Sequence, residues 1–169
     1  ELNPSFAEAH NNFGSAFKDL NQLEDALKSF EKAVEINPNF AEAYHNLGNV
    51  FKDLNRLDDA LKSYMNAKVI RDDLDYVLGN ILSTKINSCN WDDLPNLLEE
   101  LMHKINNNEK VVDPFTLFSL VDDPLIQRKA TELRVKNSHP KSNALPKIEL
   151  YPKHKKIRIG YFSADFRDH

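Results

Sequence analysis

Apolar positions along the first 74 residues recur with the 3.6-residue period of a helix that buries one face, and they do so twice. Phe13, Phe17 and Leu20 form one stripe, and Leu47, Phe51 and Leu54 repeat it 34 residues later. Written from Ala7, the segment AEAHNNFGSAFKDLNQLEDALKSFEKAVEINPNF is followed at Ala41 by AEAYHNLGNVFKDLNRLDDALKSYMNAKVIRDDL, with roughly half the positions identical. Each copy predicts a pair of helices. Gly14 and Gly48 stand where the paired helices must approach closely, and Ala26 and Ala60 stand at their crossing. Phe30 and Tyr64, then Ala33 and Ala67, continue the inner face of the second helix. Pro38 lacks the N–H a continuing helix needs, so it ends the first copy. Asp72 takes its place in the second, where the helix either runs on or the pattern loses regularity. ELNPSF at Glu1 to Phe6 matches EINPNF at Glu35 to Phe40, so the chain reads as starting in the tail of an earlier repeat.

Small-aromatic at Ala43-Tyr44, Asn46-Leu47-Gly48, Phe51, Ala60, Tyr64 and Ala67 resemble the tetratricopeptide family closely, and so does the period. The resemblance covers residues 1–74 and implies a mainly α solenoid with a concave groove that binds peptide. Asn12 and Asn46, just before the Phe-Gly and Leu-Gly pairs, are the positions expected to face that groove. An amide carries a donor and an acceptor, so a ladder of asparagines can pair with a peptide backbone whatever its sequence. The competing reading is that asparagine is abundant here and simply tolerated on a wet surface. A clamp for a C-terminal carboxylate needs lysines or arginines. The adjoining inner positions are instead Asn11, Ser15, His45 and Asn49, which disfavours a chaperone-tail clamp.

Residues 75–137 read as a degenerate repeat and a helical transition region. YVLGNILSTK places Leu78-Gly79 where the second copy has Leu47-Gly48, and its helix should end near Asn87-Ser88. Asn90 or Asp92 is the expected cap of the next helix, whose stripe is Leu94, Leu97, Leu98, Leu101 and Ile105. Asn106 to Lys110 reads as a loop. Pro114 opens another helical stretch with Phe115, Phe118, Leu120 and Val121 apolar, and Pro124 suits a first helical position. Cys89 and Trp91 read as packing residues. A catalytic thiol would need a nearby histidine and a cationic setting, so a packing role for Cys89 is the favoured reading.

The character changes again after residue 137. Residues 138–155 contain prolines and read as a linker, and residues 156–169 read as the first strand and loop of a truncated α/β domain. Ligands collect beyond the carboxyl ends of such strands, where Ser163, Asp165, Asp168 and His169 lie. His169 suits a general base or a hydrogen bond to a phosphate or hydroxyl. A surface turn rich in Asp and Arg explains the same residues.

Composition narrows the choices further. Hydrophobic residues at 41% and charged residues at 28% allow a packed soluble protein. The formal net charge of -4 argues against nucleic-acid binding, which needs a basic face. No apolar run approaches the ~20 residues of a membrane span. One cysteine excludes an internal disulfide and a cysteine-based zinc site.

Taken together, the repeats, Cys89-Asn90-Trp91-Asp92, Asp113-Pro114-Phe115, Asp122-Asp123-Pro124 and IRIGYFSADFRDH resemble the O-linked N-acetylglucosamine transferase family, nearest its bacterial and SPINDLY-type branch. That resemblance implies a cytoplasmic protein with two Rossmann-like lobes of the inverting GT-B class. It implies sugar transfer to Ser or Thr hydroxyls from a nucleotide donor, UDP-N-acetylglucosamine or GDP-fucose, with no cofactor and no metal. The partners implied are acceptor proteins or peptides held along the asparagine ladder, and the nucleotide sugar in the full-length protein. A homo-oligomer stays open. His169, in the SxDFxxH pattern, becomes the candidate base, with Asp165 beside it. Residues 1–169 alone are expected to be inactive. A non-catalytic peptide-binding scaffold, or a transferase acting on another class of acceptor, are the rival readings.

Overall fold

The computed structural model describes residues 4–138, which are helical and contain no strand. The linker expected over 138–155 and the strand over 156–169 lie outside the described residues, apart from Ser138 itself. Helices α1 (Pro4–Asp19) and α2 (Leu23–Ile36) form one antiparallel pair, and α3 (Ala41–Asp53) and α4 (Leu57–Ile70) form its copy. They are followed by α5 (Val77–Asn87), α6 (Leu94–Asn106), the short α7 (Pro114–Phe118) and α8 (Pro124–Ser138).

The two pairs are built on the same contact. A Cβ on Gly14 would lie 2.7 Å from the Phe30 ring, and one on Gly48 would lie 2.6 Å from the Tyr64 ring. The absent side chain is what lets α1 rest on α2 and α3 on α4. Each pair turns through an asparagine in the left-handed region, Asn21 (φ 58°) and Asn55 (φ 57°), a conformation asparagine tolerates better than most residues. The pairs then stack, burying Leu27, Phe30, Leu47, Val50, Ala60 and Tyr64 in one core. Ion pairs between Lys18 and Asp53 (3.3 Å) and between Arg71 and Glu42 (2.7 Å) fasten neighbouring elements at the surface. Helix α4 does not run on past its repeat: it stops at Ile70, with Arg71 N donating to Ala67 O as Asn37 N donates to Ala33 O at the end of α2.

Helix α5 belongs to two cores. Val77 and Ile81 join the repeat core, whereas Leu78 and Leu82 join a second core with Leu101, Ile105, Val111, Val112, Leu117, Ile126 and Ala130. Its register differs from the one expected. Asn80 and Ile81 occupy the places of Asn46 and Leu47, so Leu82, not Gly79, stands where Gly48 stands in the second repeat. A leucine there holds α6 off, and α5 and α6 touch only sparsely. Gly79 serves a different close approach: its N–H donates to Val111 O at 2.8 Å, and a Cβ would lie 2.7 Å from Val112 Cγ2.

Several expected core positions are on the surface. Phe13 and Leu20 are 60% and 69% exposed, because α2 covers the opposite side of α1 and no described helix covers theirs. The equivalent Leu47 is buried because α2 packs over it. In α7 the buried residue is Leu117, while Phe115 and Phe118 are 86% and 58% exposed. Cys89 and Trp91 sit in an exposed turn rather than in a core. The cap of α6 is Asp93 (φ 56°), not Asn90 or Asp92; Asn90 Oδ1 instead accepts from Asp92 N (3.1 Å) and Lys85 Nζ (3.0 Å). Pro114 and Pro124 do open α7 and α8. Asp113 Oδ1 accepts from Phe115 N, and Asp123 Oδ1 from Leu125 N and Ile126 N, each bond meeting an orphan donor of a first turn.

Candidate peptide-binding face

One face of α1, α3 and α5 carries a row of amides linked from repeat to repeat. Asn46 Nδ2 donates to Asn11 Oδ1 at 3.0 Å, across a separation of 35 residues. The same pairing recurs one repeat later, where Asn80 Nδ2 lies 2.8 Å from His45 Nε2, again 35 residues apart. With the amide as donor the ring nitrogen accepts and is unprotonated. Burial, and then the nearby Lys52 ammonium, push the His45 pKa down and favour that neutral ring.

A second row runs alongside the first. Asn49 Oδ1 accepts from the Tyr64 hydroxyl at 2.8 Å, with Asn80 Nδ2 3.5 Å away. Tyr64 is fully buried, and burial, with the Asp53 carboxylate as a smaller cause, raises its pKa so that it stays a donor. Ser15 and Ser83 hold the equivalent places in α1 and α5, donating to Asn11 O (3.1 Å) and Asn80 O (3.2 Å). Of the sequence-predicted residues, Asn11, Asn46 and Asn49 are thus half-buried and brought together with His45 and Asn80. Asn12 lies on α1, exposed to solvent.

Asn80 was not singled out by sequence reasoning, although Asn12, Asn46 and Asn80 are spaced at 34 and again 34 residues. That spacing was the available signal. Gly79 drew the register three residues away because it imitates the Leu-Gly pair.

Chemically, the cross-repeat bonds orient the asparagines without consuming them. Among the described residues the Asn46 and Asn80 carbonyl oxygens and the whole Asn12 amide remain uncommitted, a mixed set of acceptors and donors at one-repeat intervals. Among the described residues there is no group of three His, Cys, Asp or Glu able to hold a metal ion. None of the described helices is long and apolar enough to cross a membrane. Asp165 and His169 lie outside the described residues.

The fold defines a helical repeat protein built of stacked antiparallel helix pairs. Residues 14–54 match a TPR repeat family model and residues 41–70 a tetratricopeptide repeat model, so the family likeness falls within the first two helix pairs. Among solved structures the chain is similar to MamA (22% identity, TM-score 0.58), with 63% of this chain and 62% of that chain covered. It is also similar to the Arabidopsis OM64 TPR domain (14%, TM-score 0.53, 78% and 96% covered). A third is the first TPR of Spaghetti (RPAP3), solved bound to the HSP90 peptide SRMEEVD (9%, TM-score 0.53, 79% and 94% covered). At these identities the likeness concerns the fold. The chain spans under two thirds of the MamA chain, and no curated protein matches it.

Proposed function

We propose that this chain is the acceptor-binding, N-terminal part of a protein O-glycosyltransferase. Its repeats hold an extended polypeptide by the backbone while a nucleotide-sugar-dependent domain modifies Ser or Thr. The observation that carries the binding half is the amide row itself, Asn12, Asn46 and Asn80 at one-repeat intervals, with Asn11 and His45 orienting the latter two. An extended peptide presents alternating N–H and C=O groups, and amides answer both without reading side chains. Sequence tolerance of this kind suits an enzyme with many acceptors.

The transfer half is supported by sequence: CNWD at 89–92, the two Asp-Pro turns and IRIGYFSADFRDH. Under this reading His169 is the base that takes the acceptor hydroxyl proton, Asp165 is a second candidate catalytic residue, and UDP-N-acetylglucosamine or GDP-fucose is the donor. The test is to incubate the full-length protein with a Ser/Thr-rich peptide pool and each donor separately, reading intact mass. A gain of one sugar, abolished by His169→Ala, is the expected result. No gain with either donor overturns the transferase and leaves a peptide-binding scaffold, the reading favoured by the likeness to a TPR domain solved with a bound peptide.

A further inference from the structure

The amide face does not end at Asn80. One turn further along α5, Ser83 continues the Ser15 and Asn49 row, and Ser83 is also a wall of an open cleft of about 420 Å³ completed by Phe115, Thr116, Phe118 and Ser119 of α7 and its cap. The cleft is thus continuous with the candidate binding face through a single helix. Its floor is of the opposite chemistry. Two phenyl rings lie open to water while Leu117 between them is buried and anchors α7. Pro114 locks the start of α7, and Asp113, which caps it, is held by Arg134 of α8 at 3.0 Å, so the rings are presented on a fixed element. Exposed aromatic pairs of this kind are costly in water and characteristic of binding surfaces.

We propose that this cleft is a side-chain pocket at one end of the peptide-binding face, selecting polypeptides that carry an aromatic or large aliphatic residue. The inference rests on the backbone-binding role given to the amide row above and adds the specificity that row lacks. Packed helices lie ~8–10 Å apart and an extended chain advances ~3.3 Å per residue, so the selected residue lies about three positions beyond the one held by Asn80. The hydroxyls of Ser83 and Ser119 donate to Asn80 O and Thr116 O, which leaves their oxygens as acceptors at the rim.

The test uses the 169-residue chain and fluorescein-labelled Ser/Thr/Ala peptides long enough to span the three amide rungs. One parent peptide lacks any large side chain, and the others carry a single Phe moved stepwise along it. Fluorescence anisotropy should show one Phe register binding about tenfold more tightly than the parent. The double variant Phe115→Ser, Phe118→Ser, altered only at exposed positions, should lose that gain and keep the parent affinity. Asn46→Ala with Asn80→Ala should weaken parent and Phe peptides alike. If the parent binds and no register gains, or the gain survives in the Phe115/Phe118 variant, the pocket is overturned and the amide row stands. If neither parent nor Phe peptides bind, the groove reading falls and the pocket with it. A concentration-dependent dimer in sedimentation that disappears in the Phe115/Phe118 variant would assign the rings to self-association and overturn the proposal.

Discussion

The two halves of the described chain solve one problem, how to stack helix pairs, in different ways. In α1–α4 a glycine faces an aromatic ring within each pair, the pairs repeat by translation, and the amide face is carried forward with them. From α5 onward Leu82 stands in the glycine's place and α6 is held off. The vacated space is filled by Val111, Val112 and Leu117 from a segment far along the chain. The amide face survives this break, because α5 still packs on α4 as a next repeat would. The change leaves Asn80 and Ser83 in their repeat places and brings α7 up beside Ser83. The lesson is that an amide face and a packing face on one helix can diverge: α5 keeps Asn80 and Ser83 while abandoning the glycine that defines the repeat.

The sharpest way to break this contrast is to carry the second solution into the first region. Gly48→Leu forces a side chain into the Tyr64 ring, and overpacking of this kind should cost about 3 kcal/mol or more, read as a fall in the urea midpoint. The opposite exchange probes α5. Thr84 is fully buried, its hydroxyl has no partner, and it occupies the place of Val50. Thr84→Val should therefore stabilise by about 1–2 kcal/mol, the desolvation cost of the orphaned hydroxyl. A fall in midpoint would contradict that assignment.

A smaller effect concerns the junction between the halves. Lys104 of α6 donates to Asp72 O (3.2 Å), Asp72 Oδ2 (2.6 Å) and Glu109 Oε2 (3.2 Å), tying α6 to the end of α4. Hydrogen bonds from Lys104 and then Lys68 hold the Asp72 carboxyl below its usual pKa, against the opposing effect of burial. A carboxylate depressed on folding contributes stability that is present above its unfolded pKa, ~4, and is lost as pH falls through the folded value. Asp72→Asn should flatten the acid limb of the stability profile and cost about 1 kcal/mol or less at neutral pH, because half the carboxylate is in water. An unchanged acid limb would contradict it.

Much of the first region was legible from sequence because translation doubles every signal. Gly14 with Gly48, Ala26 with Ala60 and Phe30 with Tyr64 each appear twice, and a residue seen twice at one spacing defines a role. The asparagine face was legible for the same reason at Asn12 and Asn46. The second region offers each signal once. There Gly79 imitated a repeat glycine while packing against a distant segment, so the register, and with it Asn80, was misplaced. Phe115 and Phe118 read in the sequence only as apolar positions of a helical stretch, and an apolar position alone does not distinguish an aromatic open to water from one packed on a neighbour. Phe13 and Leu20 carry the pattern of buried residues, yet the helix that buries their counterparts, α2, has no equivalent on their side of α1 among the described residues.

The central claim is that the amide row holds a polypeptide by its backbone, and one comparison tests it directly. A Ser/Thr-rich peptide that binds the chain would be compared by anisotropy with a scrambled version and with a version N-methylated at alternate backbone amides. The account predicts that scrambling of residues away from the α7 cleft changes affinity by less than about threefold. N-methylation should weaken it at least about tenfold, and Asn12→Ala, Asn46→Ala and Asn80→Ala combined should remove the difference. Binding that ignores backbone methylation but collapses on scrambling would contradict it, and would make the face a reader of side chains.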